Sequence, residues 1–289
     1  MTTPLATEQD YAECSRLHRH YGTSYYFASR RLPAHIRKQV DAVYGFVRVP
    51  DEWVDNPEET CPAGIAESLR SYRQALLATM YGVVPSHPVL RAFCDVMQET
   101  GMKFDEPLAF LDAMELDLTT FRYPTFADLR NYMRGSAVAV GGMLLYVFNS
   151  SEDPETRDRA RCLGEAMQLT NFLRDVGEDY QRGRIYLPLD ELARFGVTEA
   201  QIAEGSVNDS WRALMQFNIA RARELFDQSD AGIARLPKEV RFGVALAREL
   251  YAKILEKIEQ NDFDVFSQRA ATSPQDKMVI AWRVWSAMS

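Results

Sequence analysis

Gln168-Leu-Thr-Asn-Phe-Leu-Arg-Asp-Val-Gly-Glu-Asp-Tyr-Gln-Arg-Gly-Arg-Ile-Tyr-Leu-Pro188 is the stretch whose reading decides the fold. Carboxylates, arginines and side-chain amides crowd a segment with helical periodicity. Asp175 and Asp179 are four residues apart, and Glu178 follows the first by three. On an α-helix such spacings place side chains on one face, about 6 Å of rise apart. Gln168, Asn171 and Arg182 continue the stripe at seven before, four before and seven after Asp175. Like charges one turn apart weaken a helix by a few tenths of a kcal/mol. This face therefore calls for a neutralising partner, and a divalent cation is one candidate.

Working outward, the 289 residues suffice for a large core, and 46% apolar with 26% charged residues is ordinary for a globular chain. A net charge of -8 argues against broad nucleic-acid binding. Cys14, Cys61, Cys94 and Cys162 are widely spaced, without a CxxC, and read as reduced thiols of a cytoplasmic protein. The first ten residues lack the basic start and apolar run of a signal peptide. No stretch approaches the ~20 apolar residues that cross a bilayer. Ser136 to Phe148 comes nearest and fits a buried core helix.

Helical periodicity dominates, with no convincing strand alternation. Helices are expected at Gln9–His20, Ala34–Asp55, Ala63–Met80, Pro88–Thr100, Pro107–Leu118, Phe126–Phe148 and Pro154–Tyr180. Further ones are expected at Asp190–Phe195, Glu199–Glu204, Ser210–Asp230 and, as the last major helix, Val240–Gln260. Pro33 suits the start of a helix, and Pro50 should kink the same helix or loosen its last turn. Thr60-Cys61-Pro62 marks a boundary, and Phe121-Arg-Tyr-Pro124 a break. Phe126–Phe148 is rich in small residues (Gly135, Ser136, Ala137, Ala139, Gly141, Gly142) that let helices or a ligand approach closely. With no repeat and no long linker, the chain reads as one all-α domain over residues 1–289.

A second acidic cluster, Asp51-Glu-Trp-Val-Asp55, repeats the four-residue spacing, and each cluster follows an arginine, Arg48 or Arg174. Two such faces across a cavity make an oxygen-rich site. Mg²⁺ suits it, since that ion takes one or two carboxylates, keeps waters and binds substrate phosphates. Arginines hold phosphate oxygens by bidentate charged hydrogen bonds. A diphosphate is then the natural ligand, and its assisted departure the natural chemistry. The bland alternative is a solvated acidic face, the usual state of a pair such as Asp51 and Asp55 alone. The density of amides and arginines beside Phe172 and Leu173 makes that reading harder for the second cluster. Asp112, Glu115 and Asp117 read as structural or rim acids. Scattered His18, His20, His35 and His87 give little reason for a metal role. Tyr25-Tyr26-Phe27 reads as core, or as the wall of an apolar channel beside a diphosphate site.

Taken together, these residues resemble the squalene/phytoene synthases, head-to-head prenyl transferases of the isoprenoid-synthase fold. The resemblance covers about residues 24–269. It rests on Ser24-Tyr-Tyr-Phe-Ala-Ser-Arg-Arg-Leu-Pro33, on Tyr44 through Asp55, and on the small-residue helix from Tyr132 to Gly141. It rests also on Gln168 to Asp179 with Arg184-Ile-Tyr-Leu-Pro188, the most specific part, and on Tyr251 with Asn261–Arg269. It implies a helical bundle around a central cavity. It implies that Asp51, Asp55, Asp175 and Asp179, with Asn171, hold Mg²⁺, for which Mn²⁺ could substitute. Ser24, Tyr25, Arg48, Gln168, Asn171, Arg174 and Arg269 would bind the substrate diphosphates or the water shell of the metal. Tyr44, Tyr132 and Tyr251 would flank the reacting carbons and steady a carbocation.

The implied reaction joins two prenyl diphosphates through a cyclopropyl diphosphate, with loss of both diphosphates. Tyr21-Gly22 departs from the His-Ser pair often found there, Glu52 from the second Asp of a DDxxD, and Val138 from a common Gly. The small Ser29 and the Asp-Glu-x-Val-Asp form favour two C20 substrates and phytoene, in carotenoid biosynthesis. The alternatives are a C30 squalene or dehydrosqualene synthase and a non-catalytic assembly or binding relative. NADPH is expected only if squalene is the product, and no GxGxxG fingerprint is present. A product nearly insoluble in water implies transient peripheral membrane contact through an exposed apolar patch.

Overall fold

The computed structural model describes residues 5–56 and 64–288. The expected boundary at Thr60-Cys61-Pro62, and with it Cys61, lies outside the described residues. Helices make up the architecture, and the only strand-like pairing among the described residues is an isolated parallel bridge between Arg122 and Ile185.

The chain runs through α1 (Glu8–Tyr21), α2 (Thr23–Ser29), α3 (Ala34–Asp55), α4 (Ile65–Ala78), α5 (Pro88–Thr100) and α6 (Asp105–Leu116). It continues through α7 (Phe126–Met133), a π-helical stretch (Arg134–Val138), α8 (Ala139–Val147), α9 (Pro154–Arg174) and α10 (Val176–Gln181). α11 (Leu189–Phe195), α12 (Glu199–Ala203), α13 (Asp209–Ile233), α14 (Lys238–Gln260) and α15 (Pro274–Met288) complete it.

Local chemistry sets many of these ends. Thr7 and Asp10 form a reciprocal capping box at α1, as Thr125 and Asp128 do at α7. Asp153 caps α9 ahead of Pro154 at its first position. Gly101 ends α5 in the left-handed conformation with φ 68°.

Packing then assembles a bundle. α9 lies along α13, and α1 packs on α3 and α5. Phe46 of α3 stacks on Phe93 of α5, ring centroids 3.8 Å apart, in a core where both are fully buried. The small residues of the central segment act as expected. A Cβ on Gly135 would come within 2.5 Å of the Ala109 carbonyl oxygen, and one on Gly142 within 2.6 Å of Glu106 Cδ. α6 can therefore cross directly over the π stretch and α8. Cys14, Cys94 and Cys162 are buried free thiols.

α3 runs on through Pro50, and Asn56 N–H closes its last turn on Glu52 O at 2.9 Å. Two expectations are corrected. The expected Phe126–Phe148 helix contains a wider π turn, a common device near functional sites. The expected Pro154–Tyr180 helix breaks at Asp175, with φ -103° and ψ 14°. Arg174 and Arg269 draw the Asp175 carboxylate out of the helical stripe at that point. The register survives the break because Asp179 N–H still donates to Asp175 O at 2.8 Å. Two helices, α2 and α15, were not expected.

Candidate active site

A cavity of about 730 Å³ runs through the bundle, between α2, α3, the π stretch, α8, α9, α13 and α14. One end is charged, walled by Arg48, Asp51, Asp55, Asp175, Asp179 and Arg184. The other is apolar, walled by Leu144, Leu145, Phe148, Leu163, Ile233 and Leu236. That is the shape and polarity needed by a ligand with an anionic head and a long hydrocarbon tail.

All the sequence-expected residues line this one cavity: Ser24, Tyr25, Tyr44, Arg48, Asp51, Asp55, Tyr132, Gln168, Asn171, Arg174, Asp175, Asp179, Tyr251 and Arg269. The two acidic clusters, far apart in sequence, share its charged end.

α3 supplies the first cluster. Arg48 pairs with both Asp51 and Glu52, and its guanidinium lies over the Tyr21 ring, 4.3 Å from the centroid. Tyr21 thus holds an arginine by a cation–π contact. Asp55 accepts from Arg184 Nη1 at 2.7 Å, while Arg184 Nη2 donates to Val54 O at 3.3 Å. Arg184 is buried and spans from the loop after α10 to the end of α3. Burial, and then the neighbouring Asp55 charge, push the Asp51 carboxyl up to about 6, although Arg48 opposes them.

The second cluster sits at the break between α9 and α10. Arg174 Nε donates to Asp175 Oδ1 at 2.7 Å, and Arg269 Nε donates to the same oxygen at 2.8 Å. Arg269 also reaches Glu178 at 3.2 Å. Burial acts to raise the Asp175 carboxyl, but Arg174 and then Arg269 outweigh it and hold it below the usual carboxylate range. Asp179 shows the opposite balance. Burial, reinforced by the Asp175 charge, pushes it up to about 8, and no arginine among the described residues reaches it as an ion pair. Asn171 donates to Gln168 Oε1 at 3.3 Å, while its own Oδ1 is buried without a partner.

Several participants were given no role by the sequence reading. Arg184 was quoted only as part of a motif, and its alternation Arg-Ile-Tyr-Leu-Pro was the available signal. Asp117 is no rim acid: it is buried in the cavity wall and accepts the Tyr132 hydroxyl at 2.9 Å. Its burial outweighs Arg184 and that hydrogen bond, and lifts its carboxyl to about 7. Its neighbours Asp112 and Glu115 do lie outside, bound by Arg73. Tyr132, Tyr186 and Phe172 form an aromatic box, with Phe172 and Tyr186 stacked at 4.2 Å. Burial raises the hydroxyls of Tyr44, Tyr132 and Tyr251, so all three stay neutral phenols.

His18, which the sequence made one of four scattered histidines, is fully buried against Asp41 at 2.6 Å and stacked on Tyr44 at 4.2 Å. Asp41 lies on the same helix as Tyr44, so α1 fixes the tyrosine ring from behind. Ser29 lies in the cavity wall with its hydroxyl turned to Tyr26 O at 3.0 Å, leaving a small surface toward the interior.

Comparison with known proteins adds to this geometry. The chain matches the sequence profile of the squalene/phytoene synthase family over residues 18–276. It is 37% identical to a phytoene synthase of Arthrospira platensis, over 96% of this chain and 93% of that one. It is 35% identical to a 15-cis-phytoene synthase of Synechococcus elongatus, over 90% and 87%. Among solved structures, a dehydrosqualene synthase in complex with ligand superposes with a TM-score of 0.90 at 31% identity, covering 97% of both chains. A squalene synthase of Alicyclobacillus acidocaldarius superposes at 0.80 with 26% identity, over 89% and 95%.

Proposed function

The chain belongs to the squalene/phytoene synthase family, and on that premise we propose that it joins two geranylgeranyl diphosphates head to head, through a cyclopropyl diphosphate, to phytoene. It is an enzyme of prenyl transfer. The observation that carries the proposal is the single cavity, with both Asp–Arg clusters at one end and an apolar wall at the other. Relatives named phytoene synthase at 37% and 35% identity, and the small Ser29 in the wall, support the C20 substrate.

The residues fit Mg²⁺. Asp51 and Asp179 hold protons well above the usual carboxylate range because burial and like charges penalise the bare anions. Asn171 Oδ1 is a buried acceptor lacking a donor. The donor set is all oxygen, as a hard cation requires. Among the described residues no three His, Cys, Asp or Glu side chains converge into a ready-made cage. That arrangement suits an ion that completes its shell with water and substrate phosphate. Asp51, Asp55, Asn171, Asp175 and Asp179 would hold it. Bound there, Mg²⁺ supplies the positive charge that stabilises departing diphosphate.

The chain's own groups do the rest. Arg48, Arg174 and Arg269 now sit on carboxylates, and a bound diphosphate offers them stronger anionic partners in the same place. Gln168, Ser24 and Tyr25 line the space beside them. Tyr44, Tyr132 and Tyr251 present π-faces and neutral hydroxyls that steady a cation without capturing it, since a phenol is a far poorer nucleophile than a phenolate. The apolar wall beyond them offers a cation no nucleophile.

Incubating the protein with Mg²⁺ and labelled geranylgeranyl diphosphate should release diphosphate and a C40 hydrocarbon. A parallel incubation with farnesyl diphosphate, with and without NADPH, tests the second reading. That reading, a C30 product, draws on the superposition with the dehydrosqualene synthase. Absence of turnover with both substrates would falsify the enzymatic proposal. Among the described residues no helix is long and apolar enough to cross a membrane.

A further inference from the structure

α15 carries an amphipathic pattern turned outward. Ile280 and Val284 face inward and pack with Ala28 of α2 and with Leu246 and Leu250 of α14. On the opposite side Met278, Trp282 and Trp285 recur at four and three residues and so share one face, with Val279 beside it. They are 63%, 66% and 60% exposed, and Val279 57%. Scattered single apolar residues at a surface need no explanation, but a stripe with two tryptophans does.

We infer that this face of α15 is a docking surface for an anionic lipid bilayer, with its tryptophans seated among the headgroups. The flanking charge fits that partner. Lys277 and exposed Arg283 flank the stripe on its two sides, about 120° apart around the helix. Lys277 Nζ and the Arg31 guanidinium both sit over the Phe27 ring, at 5.9 and 5.6 Å, which extends the cationic flank onto α2. A basic edge on a chain of net charge -8 is local and directional. Trp with flanking Lys and Arg is the composition that partitions to the membrane interface. A two-fold contact between copies through this stripe would instead bring the same cations against one another, which disfavours a second copy as the occupant.

The position relative to the cavity gives the surface a purpose. α15 begins at the cavity rim: Thr272 Oγ1 lies 3.1 Å from Ser24 Oγ, and Lys277 Nζ donates to Thr23 O at 3.5 Å. Thr23 and Ser24 line the cavity, and so do Ala28 and Ala247, which belong to the same small core cluster as Ile280 and Val284 of α15. α2 and α14 thus carry residues of the cavity wall and residues that pack under the proposed lipid face. A C40 hydrocarbon would then pass to the bilayer beside the site that forms it. That purpose rests on the proposed product; the surface itself does not.

The test separates the two. The protein should co-sediment with vesicles made of equal parts phosphatidylcholine and phosphatidylglycerol. The double variant Trp282→Ser/Trp285→Ser should bind them roughly tenfold more weakly or worse, since interfacial binding scales with buried apolar area. It should keep wild-type turnover of geranylgeranyl diphosphate in detergent micelles. Arg283→Glu should weaken binding to the mixed vesicles several-fold, and the loss should shrink as salt is added. Wild-type protein that ignores the vesicles overturns the inference, as does a double variant that binds as tightly as wild type. So does a wild-type dimer that the double variant dissolves while neither binds lipid, since the occupant is then a second copy. Vesicle binding that persists where neither C15 nor C20 substrate turns over supports the surface and removes the reaction.

Discussion

The two Asp-rich segments share a spacing and differ in how it is held. In the first, Asp51 and Asp55 ride on an unbroken helix, each steadied by its own arginine, Arg48 and Arg184. In the second, the helix breaks at Asp175, and two arginines from either side, Arg174 and Arg269, converge on that one carboxylate. The consequence is a division of labour within four residues. Asp175 is held ionised, whereas Asp179 is left to keep a proton up to about pH 8. One acid is permanently ready for a cation, and the other becomes ready only when positive charge arrives. The first segment offers no such contrast between anchored and unanchored acids. The second is therefore where loss of one side chain should matter most.

Asp175→Ala should strike hardest. Removing the carboxylate that two arginines share should lower turnover by about 10³-fold or more, with helix content near wild type by circular dichroism. Unchanged turnover would end its assignment as a metal ligand and dissolve the asymmetry drawn above.

Arg184→Ala tests the first segment. It should lower turnover by roughly 10²-fold and destabilise the fold by about 3 kcal/mol, because Asp55 loses a partner that is itself buried. A denaturant melt equal to wild type would show that Arg184 merely accompanies Asp55.

A smaller effect belongs to Asp117, raised to about 7 by burial in the wall that both segments share. Its folded value exceeds its unfolded one, so the native state binds more protons between about pH 4 and 7. Stability from this group is accordingly present at low pH and lost as pH rises through that window. Asp117→Asn should flatten the pH dependence of urea unfolding, by a few kcal/mol at most. A slope identical to wild type would place its charge elsewhere.

The smallest expected effect is Glu178→Gln. Among the described residues Glu178 forms an ion pair with Arg269 alone, at 3.2 Å and half in solvent, so turnover should stay within about threefold. A loss approaching that of Asp175→Ala would make Glu178 a third member of the cluster.

How much of this was legible in the sequence follows from the range of the interactions. The helices of the bundle and the four-residue acid spacing are local periodicities, and the structure reproduces them. The break at Asp175 was not visible, because one of the two arginines that draw it out is Arg269, ninety-four residues away. Asp117 and Tyr132 are fifteen apart across a break, and His18 and Asp41 lie on different helices, so no single stripe contains either pair. α15 escaped for another reason. Its largest apolar side chains point to solvent while only a few modest ones face the core, so a search for a buried stripe finds the wrong side. The resemblance to a family supplied what periodicity could not, the meeting of residues 44–55 with 168–184 in one cavity.

One loop has a consequence for how the chain tolerates change in length. Past α10 the backbone turns at Gly183, φ 78°, and Arg184 N–H returns to Asp179 O at 2.8 Å. Ile185 N–H then binds Phe121 O at 3.0 Å, and Leu189 and Asp190 bind Tyr123 O and Pro124 O at 2.9 and 3.1 Å. Five residues are thus fastened at both ends to the segment before α7, and Arg184 is held in register with Asp55. Such a strap has no slack. A single inserted residue between Gly183 and Pro188 would swing Arg184 off its carboxylate and open the wall beside Tyr186. The same insertion in the exposed turn ahead of Asp153 would be absorbed. The strap behaves as a gauge, and its fixed length sets the span between the two halves of the site.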